Sequence, residues 1–379
     1  MKETNPNFDF YAFNEQPTPP APAQEPVVTP AESVTSSPEA ETIAAPAPAP
    51  LDVEQATAKM RQGYSRLGWA FVGMTLGWVV LTVILQVVAT LFAPWMFDAF
   101  WFDMVAGTLP LYLICTPLLF LMVQGTTPAT LERKKLSISH FLILLVLAEA
   151  VMVAGSLVGN GFMSVLSLVT GNDFENQLNE AFSIPIWLSF AFSVILAPIF
   201  EELIFRKLLL DRMLPHGAFC AVLVNGLLFG AFHGNFYQFF YAAMLGMLLA
   251  FVYAKTGKIH HCILLHMCVN FLGGIVPTLL NRWLGYEEMM ALIGNEEALA
   301  LYIESHILPY LATSAYSLAQ YGIAIAGLIL FIVNFKAFAI KRTENQLPVG
   351  KGIKASFLNP GIIAALVVCG ILFSMALAG

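Results

Sequence analysis

"FEELIFRKLLLDR", residues Phe200–Arg212, closes a long apolar run in a chain otherwise poor in charge, and places two adjacent carboxylates, an arginine and a lysine within seven residues. Two readings compete. The helix has reached a membrane surface, with Lys207 and Arg212 snorkelling to water, or Glu201, Glu202 and Arg206 line a cavity inside the bilayer. Neighbouring helical residues point about 100° apart, so the two carboxylates cannot share one direction. Glu202 and Arg206, four residues apart with the acid first, suit an intrahelical ion pair. That pairing leaves Glu201 free to face elsewhere. Pro198, one turn upstream, can bend the helix and loosen its carbonyls.

Outward from this stretch the chain reads as an all-α, polytopic bundle of transmembrane helices. Hydrophobic residues make up 58% of it and charged residues 11%, against about a quarter charged in a soluble domain; mean hydropathy is +0.73. Nine apolar segments, at 68–93, 104–124, 139–161, 184–206, 218–234, 236–254, 259–281, 308–335 and 359–378, have roughly the length a helix needs to span a bilayer. The sixth is short and the ninth sits at the chain end, so eight or nine spans are expected. Cys115, Cys220, Cys262, Cys268 and Cys369 fall in or beside apolar runs without a CxxC pair, and read as buried small hydrophobes.

The net charge of −7 belongs almost wholly to the first fifty residues, which hold seven acids, one lysine and half of the 22 prolines. Such a segment buries too little apolar surface to fold. The chain is therefore divided into a disordered tail over 1–55 and a transmembrane helical domain over 56–379. The tail lacks the basic start and apolar core of a signal peptide.

If all nine segments cross, every basic cluster falls on one side: "KMRQGYSR" (59–66), "ERKK" (132–135), "RKLLLDR" (206–212), "KTGK" (255–258), and "FKAFAIKR" with "KGIK" beyond the eighth. The opposite loops are acidic or neutral, as in "NDFENQLNE" (172–180). The positive-inside rule then puts the N-terminus in the cytoplasm, and the plasma membrane is the expected location.

Two further spans carry polar residues. In "NGLLFGAFHGN" (225–235), Phe229 and His233 share a helix face, while Gly226, Gly230 and Gly234 form a row that lets another helix approach closely. In "HHCILLHMCVNFLGG" (260–274), His266 and Asn270 lie one turn apart; His260 and His261 belong to the membrane edge. Each pair alone also fits interhelical hydrogen-bond glue. Counting about 1.5 Å per residue from the basic ends, His266 and Glu201 come to similar depths. His233 comes out deeper unless its helix starts above the membrane or tilts.

The ordered set E-E-x-x-x-R (Glu201, Glu202, Arg206), F-x-x-x-H (Phe229, His233) and H-x-x-x-N (His266, Asn270) resembles the CPBP intramembrane protease family, which includes the type II CAAX prenyl endopeptidases and Abi-type bacterial proteins. The resemblance covers about 180–285. It implies peptide-bond hydrolysis in a cavity open to the cytoplasm, with Glu201 as general base, His233 holding the attacking water, and His266 and Asn270 donating to the oxyanion. Glu202, Arg206 and Phe229 would support these groups. No cofactor is expected. If a metal is used, it is zinc on Glu201, His233 and His266, which would itself activate the water. No H-E-x-x-H helix, G-x-S-G or G-x-G-D context points to another membrane protease.

The alternative class is a non-catalytic membrane scaffold or small-solute transporter; no inverted repeat of broken helices favours the latter. Expected partners are membrane lipid and a peptide or protein substrate with a membrane-associated terminus, and no nucleic acid. The sequence leaves the oligomeric state open.

Overall fold

The computed structural model describes residues 52–174, 176, 184–338, 340 and 346–378. The tail expected over 1–55 lies outside the described residues through residue 51. Its last residues do not: the first helix, α1 (Val53–Phe92), begins there, and the Asp52 side chain caps it by accepting from the amides of Glu54 and Gln55. The rest of the chain follows as α2 (Phe102–Met122), α3 (Ile138–Thr170), α4 (Ile186–His216), α5 (Ala218–Phe232), α6 (Phe236–Thr256), α7 (Ile259–Leu284), the short α8 (Tyr286–Ala291) and α9 (Glu296–Ser305), α10 (Ile307–Val333), α11 (Val349–Phe357) and α12 (Pro360–Ala378). Among the described residues there is no strand.

Eight of these helices are long and apolar enough to cross a membrane: α1 to α4, α6, α7, α10 and α12. The fifth apolar segment is the exception. Its helix, α5, has 15 residues, about 22 Å of rise, against a hydrocarbon core of about 30 Å. All nine apolar segments are helical, and one of them is too short to span by itself. At 40 residues α1 errs the other way; its first turns precede the apolar stretch and carry Lys59, Arg61 and Arg66.

Four of the basic clusters meet at one end of the bundle. There the Arg66 guanidinium donates to the Gln124 carbonyl (2.6 Å), and Arg212 Nε donates to that of Val123 (3.3 Å). The loop after α2 is pinned by the Ala129 amide on the Asp211 carbonyl (2.6 Å) and the Lys134 amide on that of Thr256 (2.9 Å). Since α5 starts and α6 ends near this face, the two form a hairpin that leaves it and returns.

The hairpin is close-packed because of its glycines. A Cβ on Gly230 would lie 2.6 Å from the Phe239 carbonyl oxygen and 2.8 Å from the Ala243 amide nitrogen, and Gly226 meets Met247 as tightly. Gly234, the third glycine of the row, lies beyond the helix at φ +70 and faces Leu372 instead. Gly230→Ala should therefore cost about 1–3 kcal/mol, read as a lowered Tm in detergent. Gly161→Ala, where a Cβ meets nothing within 4 Å, should leave Tm unchanged or raised.

Four stretches inside the spans widen into π-helical turns: Leu111–Cys115 in α2, Phe190–Leu196 and Leu203–Leu210 in α4, and Phe271–Ile275 in α7. Pro117, Pro198 and Pro277 each follow one of them by two residues. A proline has no N–H for the carbonyl one turn back and its ring crowds that carbonyl, so the helix widens just before it. Each wide turn has a carbonyl bonded by a side chain. Thr116 Oγ1 donates to Leu111 (2.9 Å), Asn270 Nδ2 to Ser193 (2.7 Å), Asn225 Nδ2 to Phe205 (2.8 Å) and the Tyr316 hydroxyl to Leu272 (2.5 Å). Three of these four donors come from another helix. An unmet backbone carbonyl in a bilayer is costly, so these side chains make the wide turns tolerable.

Candidate active site

The wide turns of α4 bracket Glu201 and Glu202, and set where each carboxylate points. Glu202 turns inward and is fully buried; its Oε2 lies 3.0 Å from Nε of Arg206, also fully buried. The pair is in ionic contact without the alignment of a hydrogen bond. Arg206 Nη2 donates to the Gly246 carbonyl (3.1 Å) in α6, and its guanidinium carbon lies 4.7 Å from the centre of the Phe229 ring. A buried arginine thus meets an acid, a carbonyl and a π face, each able to offset part of its lost hydration.

Glu202 also reaches across to α7. Its Oε1 lies 2.9 Å from Nδ1 of His266, a residue 3% exposed. The other ring nitrogen, Nε2, lies 3.8 Å from Oε2 of Glu201, beyond direct hydrogen-bond length. Arg206, Glu202, His266 and Glu201 therefore form a line of alternating charge-bearing groups. Glu201 is its accessible end, with 15% of its side chain exposed.

Phe229 sits at the middle of the cluster. Its ring centre lies 5.0 Å from that of Phe205, 5.1 Å from that of His233 and 5.8 Å from that of His266. His233 ends α5, and its Nδ1 is paired with the Phe229 carbonyl (2.8 Å), which leaves Nε2 for other partners. The following turn is fixed by Asn235, which donates to the His233 carbonyl (3.1 Å) and caps α6 by accepting from the Gln238 amide (2.9 Å). The structure thus brings Glu201, Glu202, Arg206, Phe229, His233 and His266 into one contiguous group. Asn270 lies one turn further along α7, half-buried, with one amide N–H on Ser193 and the second left over.

Two tyrosines that the sequence motifs do not contain belong to the surroundings. Tyr112 of α2 stacks on Phe200, with ring centres 4.4 Å apart and planes 8° from parallel. Tyr112 and Tyr241 of α6 both stand close enough to Glu201 to feel its charge. Nothing in their local sequence marks them; only the meeting of α2, α4 and α6 does.

Among the described residues, no group of three or more His, Cys, Asp or Glu side chains is placed to hold a metal ion. In the set Glu201, His233 and His266, Nδ1 of each histidine is engaged, which leaves Nε2 as the nitrogen a metal would take; that of His266 stands 3.8 Å from Oε2 of Glu201.

No curated protein and no solved structure matches the chain. A family model described as type II CAAX prenyl endopeptidase Rce1-like matches residues 183–272, the stretch from the start of α4 to the wide turn of α7. With the E-E-x-x-x-R, F-x-x-x-H and H-x-x-x-N residues of that stretch drawn together, residues 183–272 are an Rce1-like domain of the CPBP/Abi family of membrane proteases.

Proposed function

We propose that the protein is an intramembrane endopeptidase that cleaves membrane-associated peptides or protein termini by a water activated at Glu201, within a catalytic core spanning about 180–285. The observation that carries this is the line Arg206–Glu202–His266–Glu201, which ends on an accessible carboxylate. Glu201 takes a proton from the water as it attacks the scissile carbonyl, then delivers it to the leaving amine. With Nδ1 of His266 donating to Glu202, Nε2 can donate to the oxyanion only as imidazolium. Glu202 on the one nitrogen and the oxyanion itself on the other supply the counter-charge for that form. The spare N–H of Asn270, one turn on, is the second oxyanion donor, and Nε2 of His233 orients the water. Arg206 holds Glu202, and Glu202 holds the His266 ring, as carboxylates do for working histidines.

The orientation follows from the basic end of the bundle. With that end in the cytoplasm, the N-terminus is cytoplasmic, the membrane is the plasma membrane, and substrates enter from the inner leaflet. The test is a comparison of membrane-protein termini in cells expressing wild-type and His266→Ala protein at matched levels, with purified protein in lipid nanodiscs assayed on the peptides so found. His266→Ala should lower kcat about 10²–10³-fold, the loss expected for one oxyanion donor, while the protein still accumulates. Identical terminal peptides in both cell lines would remove the peptidase reading. Loss of the folded protein in both His266→Ala and Glu201→Gln would favour a scaffold.

A further inference from the structure

Glu149 is a further carboxylate buried among the spans, outside the three motifs. It lies in the apolar stretch "LLVLAEAVMVAG" of α3 and is 3% exposed, with Oε1 lacking any hydrogen-bond partner. An acid at this depth is expensive and is retained where it has work to do.

Its neighbours lead to the site. The side chain of Gln320 in α10 stands within interaction range of Glu149. Gln320 Nε2 also donates to the Tyr316 hydroxyl (2.9 Å), which in turn donates to the Leu272 carbonyl (2.5 Å). Leu272 belongs to the wide turn of α7, two residues past Asn270 and six past His266. Cys268, between those two residues, is near enough to Glu149 to feel its charge. The far end of the chain is firmly held, because α3 and α10 are in close contact at Gly327, where a Cβ would lie 2.6 Å from the Val146 carbonyl oxygen.

We propose that Glu149, Gln320 and Tyr316 form a strut from α3 through α10 to the wide turn of α7, and that Glu149 and Tyr316 are positioning residues for the peptidase reaction. The turn would otherwise carry an unmet carbonyl and settle by rotation, which swings Asn270 and His266 away from Glu201. Displacement of about 1 Å at reacting groups can lower a rate about 10²-fold. This inference rests on the peptidase reading, so its test has one arm that needs no cleavage.

In nanodiscs, Tyr316→Phe removes one hydroxyl and little volume. It should lower kcat about 10- to 100-fold with KM within about twofold of wild type. Glu149→Leu should do the same, and Glu149→Gln, which keeps an acceptor for Gln320, should retain most of the activity. Because all act through one chain of bonds, the double variant Glu149→Leu/Tyr316→Phe should be no slower than the worse single variant. Hydrogen exchange of the amides of 271–276 should speed up in Tyr316→Phe while α5 and α6 stay as protected as in wild type. If wild-type protein cleaves nothing, the peptidase reading fails and the exchange arm still decides whether the strut exists. Unchanged exchange at 271–276 overturns the strut. Unchanged kcat in a protein that does cleave, multiplying losses in the double variant, or a Glu149→Gln variant as slow as Glu149→Leu overturns the positioning role.

Discussion

Glu201→Gln is expected to reduce kcat by about 10³-fold or more, with KM and Tm nearly unchanged. The substitution keeps the size and shape of the side chain, so the wide turns of α4 and the stacking of Tyr112 on Phe200 have no reason to shift. What it removes is a group able to accept and return a proton, a contribution of about 10²–10⁴. Glu201 also has no ion-pair partner closer than His266 Nε2 at 3.8 Å, so little stability depends on its charge. Steady-state kinetics on a cleaved peptide, with unfolding monitored on the same preparation, separates the two effects. Cleavage by Glu201→Gln at the wild-type rate would mean that the water is activated by another group.

Arg206→Ala should have the opposite signature, a loss of folded protein. It takes the guanidinium from fully buried Glu202 and leaves it the His266 ring alone, empties the contact with the Gly246 carbonyl, and leaves the Phe229 face without its cation. Breaking a buried pair from one side costs about 3–5 kcal/mol, a large share of the stability of most proteins. Replacing both partners, as in Glu202→Leu/Arg206→Met, should recover much of the folded fraction, because no buried charge is left. It should not recover cleavage, since His266 Nδ1 then has no carboxylate to hold its ring. Size-exclusion profiles and Tm in detergent, read beside the rate, check both halves. A single variant as stable as wild type would show that the pair contributes little.

These two outcomes also mark what was legible in the sequence. The Glu202–Arg206 pair lies on one helix at a fixed spacing, so periodicity alone gave it, and with it the separate direction of Glu201. The nine apolar segments were readable because a bilayer sets their length. The shortness of α5 was not, because "HGN" (233–235) interrupts an apolar run that otherwise continues into α6. The contact of His266 with Glu202 joins residues 64 apart; the motifs put both near the site but assigned His266 to Asn270 and the oxyanion, without the carboxylate on its other nitrogen. Tyr112, Tyr241, Asn225 and the Glu149 strut escaped because each acquires its role only through a neighbour on another helix. The wide turns leave a signal in the sequence, since three of the four precede a proline, Pro117, Pro198 or Pro277.

Those turns have a consequence for how the chain tolerates change in length. Each lodges an additional residue within a span, and one residue corresponds to about 100° of rotation about the axis. Loss of a single residue between Leu203 and Leu210 would let that stretch relax to an ordinary helix and save Asn225 its task. The cytoplasmic half beyond it, with Asp211, would stay in phase with Glu201, because a wide turn takes up its additional residue with little added rotation; the same loss in an ordinary turn of α4 would dial that half about 100° round. Side-chain substitutions on the lipid-facing surfaces should drift freely, whereas the count of residues in the ordinary turns that carry the site, Ala197–Glu202 and His266–Asn270, is held as a fixed spacing.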